Sequence, residues 1–203
     1  MIKNIVFDVG DVLLSYRWRD MMIQDHGLAP KDAERIAAEM FNSPYWAILD
    51  LGTETEEQVL HGYDQIYPED SEHIRWFITH GEKMHVGRPD VWERVHELKH
   101  KGYKLYYLSN YSYELFSKHT KGAPFMEDMS GGVVSYQIHI SKPDRRIYEY
   151  LLSKYDLKPE ECLFFDDRME NVEGARKAGM NSERVISEAQ LVEMLDELLK
   201  NKD

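Results

Sequence analysis

Three short apolar runs stand out along the chain: Ile5 to Phe7, Leu105 to Leu108, and Leu163 to Phe165. None alternates with polar positions, which marks strands buried on both faces rather than on one. Each run stops abruptly, the first at Asp8, the second at Ser109 and Asn110, the third at Asp166 and Asp167. Elsewhere the period lengthens. Val91, Val95 and Leu98 recur at helical spacing between Pro89 and Gly102, and Ile147, Leu151 and Tyr155 repeat it after Pro143. A last helix is predicted from about Ser187 to Leu199, with Leu191, Leu195 and Leu198 facing inward. Strands that alternate with helices imply parallel pairing, so the pattern predicts an α/β fold with a Rossmann-like, doubly wound parallel sheet.

Between Ser15 and Gly87 the pattern is helical throughout. Ala33, Ile36, Ala37 and Met40 form one stripe, Val59, Tyr63 and Ile66 a second, and Ile74, Phe77 and Ile78 a third. Residues 15–87 are therefore read as an all-helical cap inserted after the first strand, over its carboxyl end. Residues 1–14 and 88–203 are read as the catalytic core.

Composition narrows the class. The 203 residues are 42% hydrophobic and 31% charged, enough for one core of ordinary size plus an insertion. A formal net charge of −12 opposes a phosphate backbone, so no nucleic-acid partner is expected. The N-terminal MIKNIVFDVGD has too short an apolar run for a signal peptide, and no stretch of about 18 apolar residues occurs. A cytoplasmic location without a membrane partner is expected. Cys162 is the lone cysteine and, beside Leu163 and Phe164, reads as a buried core thiol.

The chemistry follows from where the strands end. In open parallel sheets, sites form in the crevice at the carboxyl ends, which would gather Asp8, Ser109, Asp166 and Asp167. Crowded carboxylates repel unless a proton or cation intervenes, and an all-oxygen donor set suits Mg2+. A phosphate oxygen is the usual co-ligand of such a metal. Asp8 is then a candidate nucleophile that forms an aspartyl phosphate. Lys142 would supply a fixed positive charge, and Ser109 and Asn110 would donate hydrogen bonds to the transferring group.

Four segments in order, FDVGDV at Asp8, LSN at Ser109, KPD at Lys142 and FFDD followed by Asn171, resemble the motifs of the haloacid dehalogenase superfamily. The first segment is similar to that of bacterial sugar-phosphate phosphatases of the glucose-1-phosphate type, with Asp11 where those have asparagine. The resemblance spans essentially the whole chain. It implies Asp8 as nucleophile and metal ligand, the Gly10 carbonyl and Asp167 as further ligands, and Asp166 acting directly or through water. It implies phosphoryl binding by Ser109 and Asn110, charge balance by Lys142, and a small phosphorylated metabolite as substrate. Oligomeric state is not encoded in any of these motifs.

One position departs from the superfamily pattern. Most of its phosphatases carry an acid–base aspartate two residues after the nucleophile, help worth roughly 10² to 10⁴ in rate, whereas this chain has Gly10. On an extended segment Asp11 would point away from Asp8 and would not substitute. Slow turnover, or a preference for good leaving groups such as anomeric sugar phosphates, is expected. Two alternatives follow: a 2-haloacid dehalogenase, which tolerates glycine there but lacks the acidic pair, and a phosphate-ester binding protein with negligible turnover.

Other features are weaker. His96 to His100 reads HELKH, a short match to a zinc-protease motif, but its histidines fall opposite the apolar stripe and toward solvent. Asn171 would either orient the acidic loop or, more simply, cap the helix that follows. Among the aromatics Tyr16, Trp18, Tyr45 and Trp46, some would line a substrate pocket, though core packing is the commoner fate of each. Leu51-Gly52-Thr53 resembles a cap loop that reaches toward the site in relatives.

Overall fold

The computed structural model describes residues 1–200. Five strands form one parallel sheet: β1 (Asn4–Phe7), β4 (Lys104–Ser109), β5 (Gly131–Val134), β6 (Cys162–Asp166) and β7 (Asn181–Arg184), in the order β5-β4-β1-β6-β7. Two further strands, β2 (Leu14–Tyr16) and β3 (His85–Gly87), pair antiparallel as a separate ribbon. The chain builds outward from β1 through β4 to β5, then crosses to β6 and β7. The reversal leaves a crevice at the carboxyl ends of β1, β4 and β6.

β1 is buried along its whole length, and its alternating side chains feed two cores. Ile5 and Phe7 join one layer with Val91, Val95 and Leu98 of the helix Pro89–His100 and with Leu191 and Leu195 of the helix Glu188–Lys200. Val6 joins the other with Phe164 and with Ile147, Tyr148 and Leu151 of the helix Arg145–Lys154. Helices on both faces make the sheet doubly wound. Cys162 is fully buried in the second layer.

Two edge strands have no clear signature in the sequence. β5 reads GGVV, and a Cβ at Gly132 would fall 2.3 Å from the Tyr107 ring, so an aromatic on the neighbouring strand fills what a side chain would otherwise occupy. β7 reads NSER, with Ser182 alone buried. The ribbon of β2 and β3 was likewise hidden, at three residues a strand.

The cap helices run Pro30–Phe41, Pro44–Leu51, Glu56–Ile66 and Ser71–Thr79. Pro30 and Pro44 open two of them, and Thr55 with Gln58 forms a capping box on the third. The predicted stripes are buried except for Ile66, which is 46% exposed because it falls at the end of its helix. Cap and core are bolted together. Ser135 Oγ donates to the Asp50 carbonyl at 2.5 Å, His139 Nδ1 meets the Leu51 carbonyl at 2.8 Å, and Lys118 Nζ donates to the Thr79 carbonyl at 2.9 Å.

Arg88 ties the turn after β1 to the ribbon. Its buried guanidinium donates to the carbonyls of Asp11 (2.7 Å) and Val12 (3.1 Å) and to Ser15 Oγ (2.6 Å). Arg88→Ala leaves three acceptors unmet and is expected to cost about 2–4 kcal/mol. Urea denaturation measures this, and a loss below about 0.5 kcal/mol, the range of ordinary surface substitutions, would contradict it.

Candidate active site

β1 delivers Asp8 to the crevice, and the chain then turns. The amides of Leu13 and Leu14 both donate to the Val9 carbonyl at 2.9 Å, and Asp11 takes a left-handed φ of 52°. The expectation that Asp11 lies on an extended segment pointing away from Asp8 is therefore corrected. The turn swings it to the rim of the same cavity, where its carboxylate helps to raise the Asp167 pKa.

Asp8 is nearly buried. Ser109, at the end of β4, donates its hydroxyl to Oδ1, the Val9 amide donates to the same oxygen at 2.7 Å, and Lys142 Nζ lies 3.0 Å from Oδ2. Lys142 also lies 2.6 Å from Asp166 Oδ2. Burial alone would lower the pKa of this lysine, but Asp166 and Asp8 outweigh it and hold the ammonium charged. Asn110 clamps the loop that carries it: its Nδ2 donates to the Lys142 carbonyl at 3.0 Å, and its Oδ1 accepts the Lys142 amide at 2.8 Å. One N–H of the Asn110 amide is left for a ligand.

Asp166 and Asp167 differ sharply. Asp166 is fully buried and accepts from Lys142, the Arg168 amide (2.8 Å) and Asn171 Nδ2 (2.9 and 3.1 Å), while Asp167 borders the cavity. Asn171 thus orients the acidic loop. The simpler expectation, that it caps the helix Met169–Lys177, is overturned, since Arg168 holds the N-cap position and the Asn171 amide is drawn to the buried carboxylate.

Carboxylate oxygens of Asp8, Asp166 and Asp167 lie within 4.8 Å of one another. Burial pushes the Asp8 carboxyl up to about 7, with Lys142 opposing and Asp166 adding to the rise; burial and Asp166 together push Asp167 to about 6. Carboxyls crowded enough to retain protons, with oxygen donors throughout, fit a hard divalent cation such as Mg2+.

The cavity above them is about 330 Å³. Asp8, Ser109, Lys142 and Asp167 form its floor, and Trp18, Phe41, Trp46 and Asp50 approach from the cap. Of the aromatics singled out in the sequence, Tyr16, Trp18 and Trp46 border it, whereas Tyr45 packs on Gly62. A wider depression of about 610 Å³ around Tyr45, Glu57 and Gln58 lies on the cap and touches none of the strand ends. His96 and His100 also lie elsewhere, with His96 Nδ1 3.1 Å from the Asp128 carboxylate.

Gly10 has a steric reason. A Cβ there would lie 2.3 Å from the Tyr16 hydroxyl, so the phenol occupies the space a side chain would need. Tyr16 donates to the Tyr111 hydroxyl, which lies 3.1 Å from His119 Nδ1, and His119 Nε2 lies 2.8 Å from the Gly81 carbonyl. A carbonyl only accepts, so Nε2 carries the hydrogen. Burial lowers the His119 pKa to about 4, so the ring is neutral and Nδ1 accepts from Tyr111. The polarity of the chain therefore runs outward, and Tyr16 offers lone pairs to the cavity. The sequence pointed to Tyr16 but not to Tyr111, His119 or Asp50; of these only Asp50 had a nearby signal, the Leu51-Gly52-Thr53 loop.

Comparison with known proteins agrees with this layout. Residues 2–179 match the family described as haloacid dehalogenase-like hydrolase. A phosphatase of Mycobacterium tuberculosis is 34% identical over 97 residues, 47% of this chain and 45% of that protein. (S)-2-haloacid dehalogenase 4A of Burkholderia cepacia is 25% identical over 64% of this chain and 57% of its own length. The chain thus spans about half the length of these two relatives. A sesquiterpene phosphatase of Aspergillus oryzae is 28% identical over 88% of this chain and 87% of its own. Among solved structures, a Bacteroides thetaiotaomicron enzyme in complex with magnesium and inorganic phosphate superposes with TM-score 0.71 at 20% identity, covering 91% of this chain and 94% of that one. At that identity the likeness concerns the fold.

The raised carboxyls set a pH signature. Asp8 and Asp167 hold protons to about pH 7 and 6 when folded without metal, against 3.8 for an unperturbed carboxyl. Their contribution to stability is full below about pH 4 and is lost as pH rises through these values. Mg2+ selects the ionised form, so it is expected to raise Tm more at about pH 8 than at about pH 5 and to release protons on binding near neutrality. Scanning calorimetry at both pH values tests this, and equal shifts would contradict it.

Proposed function

The chain belongs to the haloacid dehalogenase-like hydrolases, and from that premise we propose that it is a Mg2+-dependent phosphatase acting on a small phosphorylated metabolite through an aspartyl phosphate on Asp8. The observation that carries this reading is the pairing of one nucleophile-grade carboxylate with a buried ammonium and two further carboxylates at adjacent strand ends. Asp8, Asp167 and the Gly10 carbonyl would hold the metal, with Asp166 acting chiefly through Lys142. When bound, the metal supplies charge neutralisation for the phosphoryl oxygens.

The residues divide the remaining work. Lys142 fixes Oδ2 of Asp8, and the Val9 amide with the Ser109 hydroxyl fixes Oδ1, so the carboxylate is held in one orientation before substrate arrives. Lys142 also meets charge on the transferring group, Asn110 donates its remaining N–H to it, and the single Ser109 hydroxyl proton would turn from Asp8 to it as substrate binds. Trp18, Phe41 and Trp46 give the cavity an apolar wall on the cap side, which limits water and suits a leaving group with a carbon face. Sugar phosphates meet that description, since their rings stack on indoles while their hydroxyls reach polar rim groups. The likeness to a phosphatase over 88% of this chain supports the reaction class.

A 2-haloacid dehalogenase is the second reading, favoured by the relative of that activity and by Gly10. The cluster of Asp8, Asp166 and Asp167 weighs against it, because a carbon-centred displacement needs no such cation site. In a screen of phosphate monoesters with Mg2+, Asp8→Asn is expected to lose about 10⁴-fold or more in kcat, as loss of an essential nucleophile does. A chelator should abolish phosphate release. Metal-independent halide release from a 2-haloacid, without phosphate release from any ester, would replace the proposal with the second reading.

A further inference from the structure

An aspartyl-phosphate route needs a proton for the leaving oxygen and later a base for water. Gly10 offers no side chain, and the Tyr16 proton is committed outward to Tyr111. Asp8, Lys142, Asp166 and Asp167 are engaged with one another on the floor, and Asp11 sits at the rim beside Asp167, under the influence of Arg88. Asp50 is a carboxyl that approaches from the opposite wall. It lies in the last turn of the helix Pro44–Leu51, whose main chain is fixed to the core there by Ser135 on the Asp50 carbonyl and His139 on the Leu51 carbonyl. Gly52 completes the contact: a Cβ there would lie 2.9 Å from Tyr136 Cβ. The side chain is therefore delivered to the cavity on rigid backbone. The carboxyl lies within electrostatic reach of Asp8, Arg168 and Lys142.

We propose that Asp50, supplied by the cap, is the acid–base catalytic residue of this site. The inference rests on the phosphatase reading. In the first step an Asp8 oxygen bonds to phosphorus as the ester P–O bond breaks, and the Asp50 carboxyl gives its proton to the leaving oxygen, which departs as an alcohol. In the second, the Asp50 carboxylate takes a proton from water as the water oxygen bonds to phosphorus and the P–O bond to Asp8 breaks. Inorganic phosphate leaves, Asp8 is again a carboxylate and Asp50 is again protonated. Burial, with Asp8 adding to it and Arg168 opposing, raises this carboxyl to about 7, so both forms are populated near neutrality.

Asp50→Asn is the test, because the amide keeps the size and shape of the carboxyl while proton transfer is lost. With Mg2+, the variant is expected to lose about 10²–10³-fold in kcat on alkyl phosphates. On p-nitrophenyl phosphate, whose leaving group needs no proton, it should give a burst of nitrophenolate followed by a slow steady state, with phosphoryl-enzyme accumulating. Asp50→Ala should behave alike and regain turnover with added formate. Folding is checked by an unchanged circular dichroism spectrum and by retained binding of inorganic phosphate with Mg2+. A folded variant with wild-type kcat on alkyl phosphates, or with equal losses on both esters and no burst, would overturn the assignment while leaving the phosphatase reading intact. Wild-type protein that releases phosphate from no ester would overturn both.

Discussion

The site depends on an ammonium buried between two carboxylates. Lys142 Nζ is 3.0 Å from Asp8 and 2.6 Å from Asp166, and its side chain is 1% exposed. An unpaired charge at that depth would cost several kcal/mol, and two carboxylates without the lysine would repel. The three groups are tolerable only together. Much of the surrounding structure serves to keep them so: Asn110 clamps the Lys142 main chain, Asn171 and the Arg168 amide saturate Asp166, and Ser109 with the Val9 amide orients Asp8.

The fold makes this constellation affordable. Three of its members stand at the ends of β4, β1 and β6, adjacent strands in rigid register, so their relative positions are set by ladder hydrogen bonds rather than by loops. Lys142 arrives on a loop, and that is the element given a two-bond clamp. The cap closes the cavity from the other side, with main-chain contacts at Asp50 and Leu51 fixing one wall and the aromatics another. Because opposite walls of the cavity come from core and cap, chemistry and selectivity can vary separately.

How much of this was legible in the sequence follows from what each residue reports locally. Strands buried on both faces announce themselves as uninterrupted apolar runs, so β1, β4 and β6 were visible, and with them the strand-end positions of Asp8, Ser109 and Asp166. The cap helices showed because their stripes are amphipathic. β5 and β7 did not show, since the aromatic that packs over Gly132 belongs to another strand and β7 buries little but Ser182. The turn that brings Asp11 to the cavity rim was hidden because a left-handed residue leaves no hydrophobic trace. The Asn171 contact to Asp166 and the chain from Tyr16 to His119 join residues whose pairing only the fold specifies. Gly10 is the instructive case: the missing side chain was plain in the sequence, but its cause, the Tyr16 hydroxyl in the same space, was not.

The central claim is that Asp8 carries the phosphoryl group between substrate and water. It is tested most directly by acid quenching during steady-state turnover of a phosphate monoester with Mg2+, followed by mass spectrometry of the N-terminal peptide. The account predicts a phosphoryl group on Asp8, labile to mild base and absent when Asp8 is replaced by Asn. Continued phosphate release with no phosphoryl group on Asp8 under any quench would contradict it.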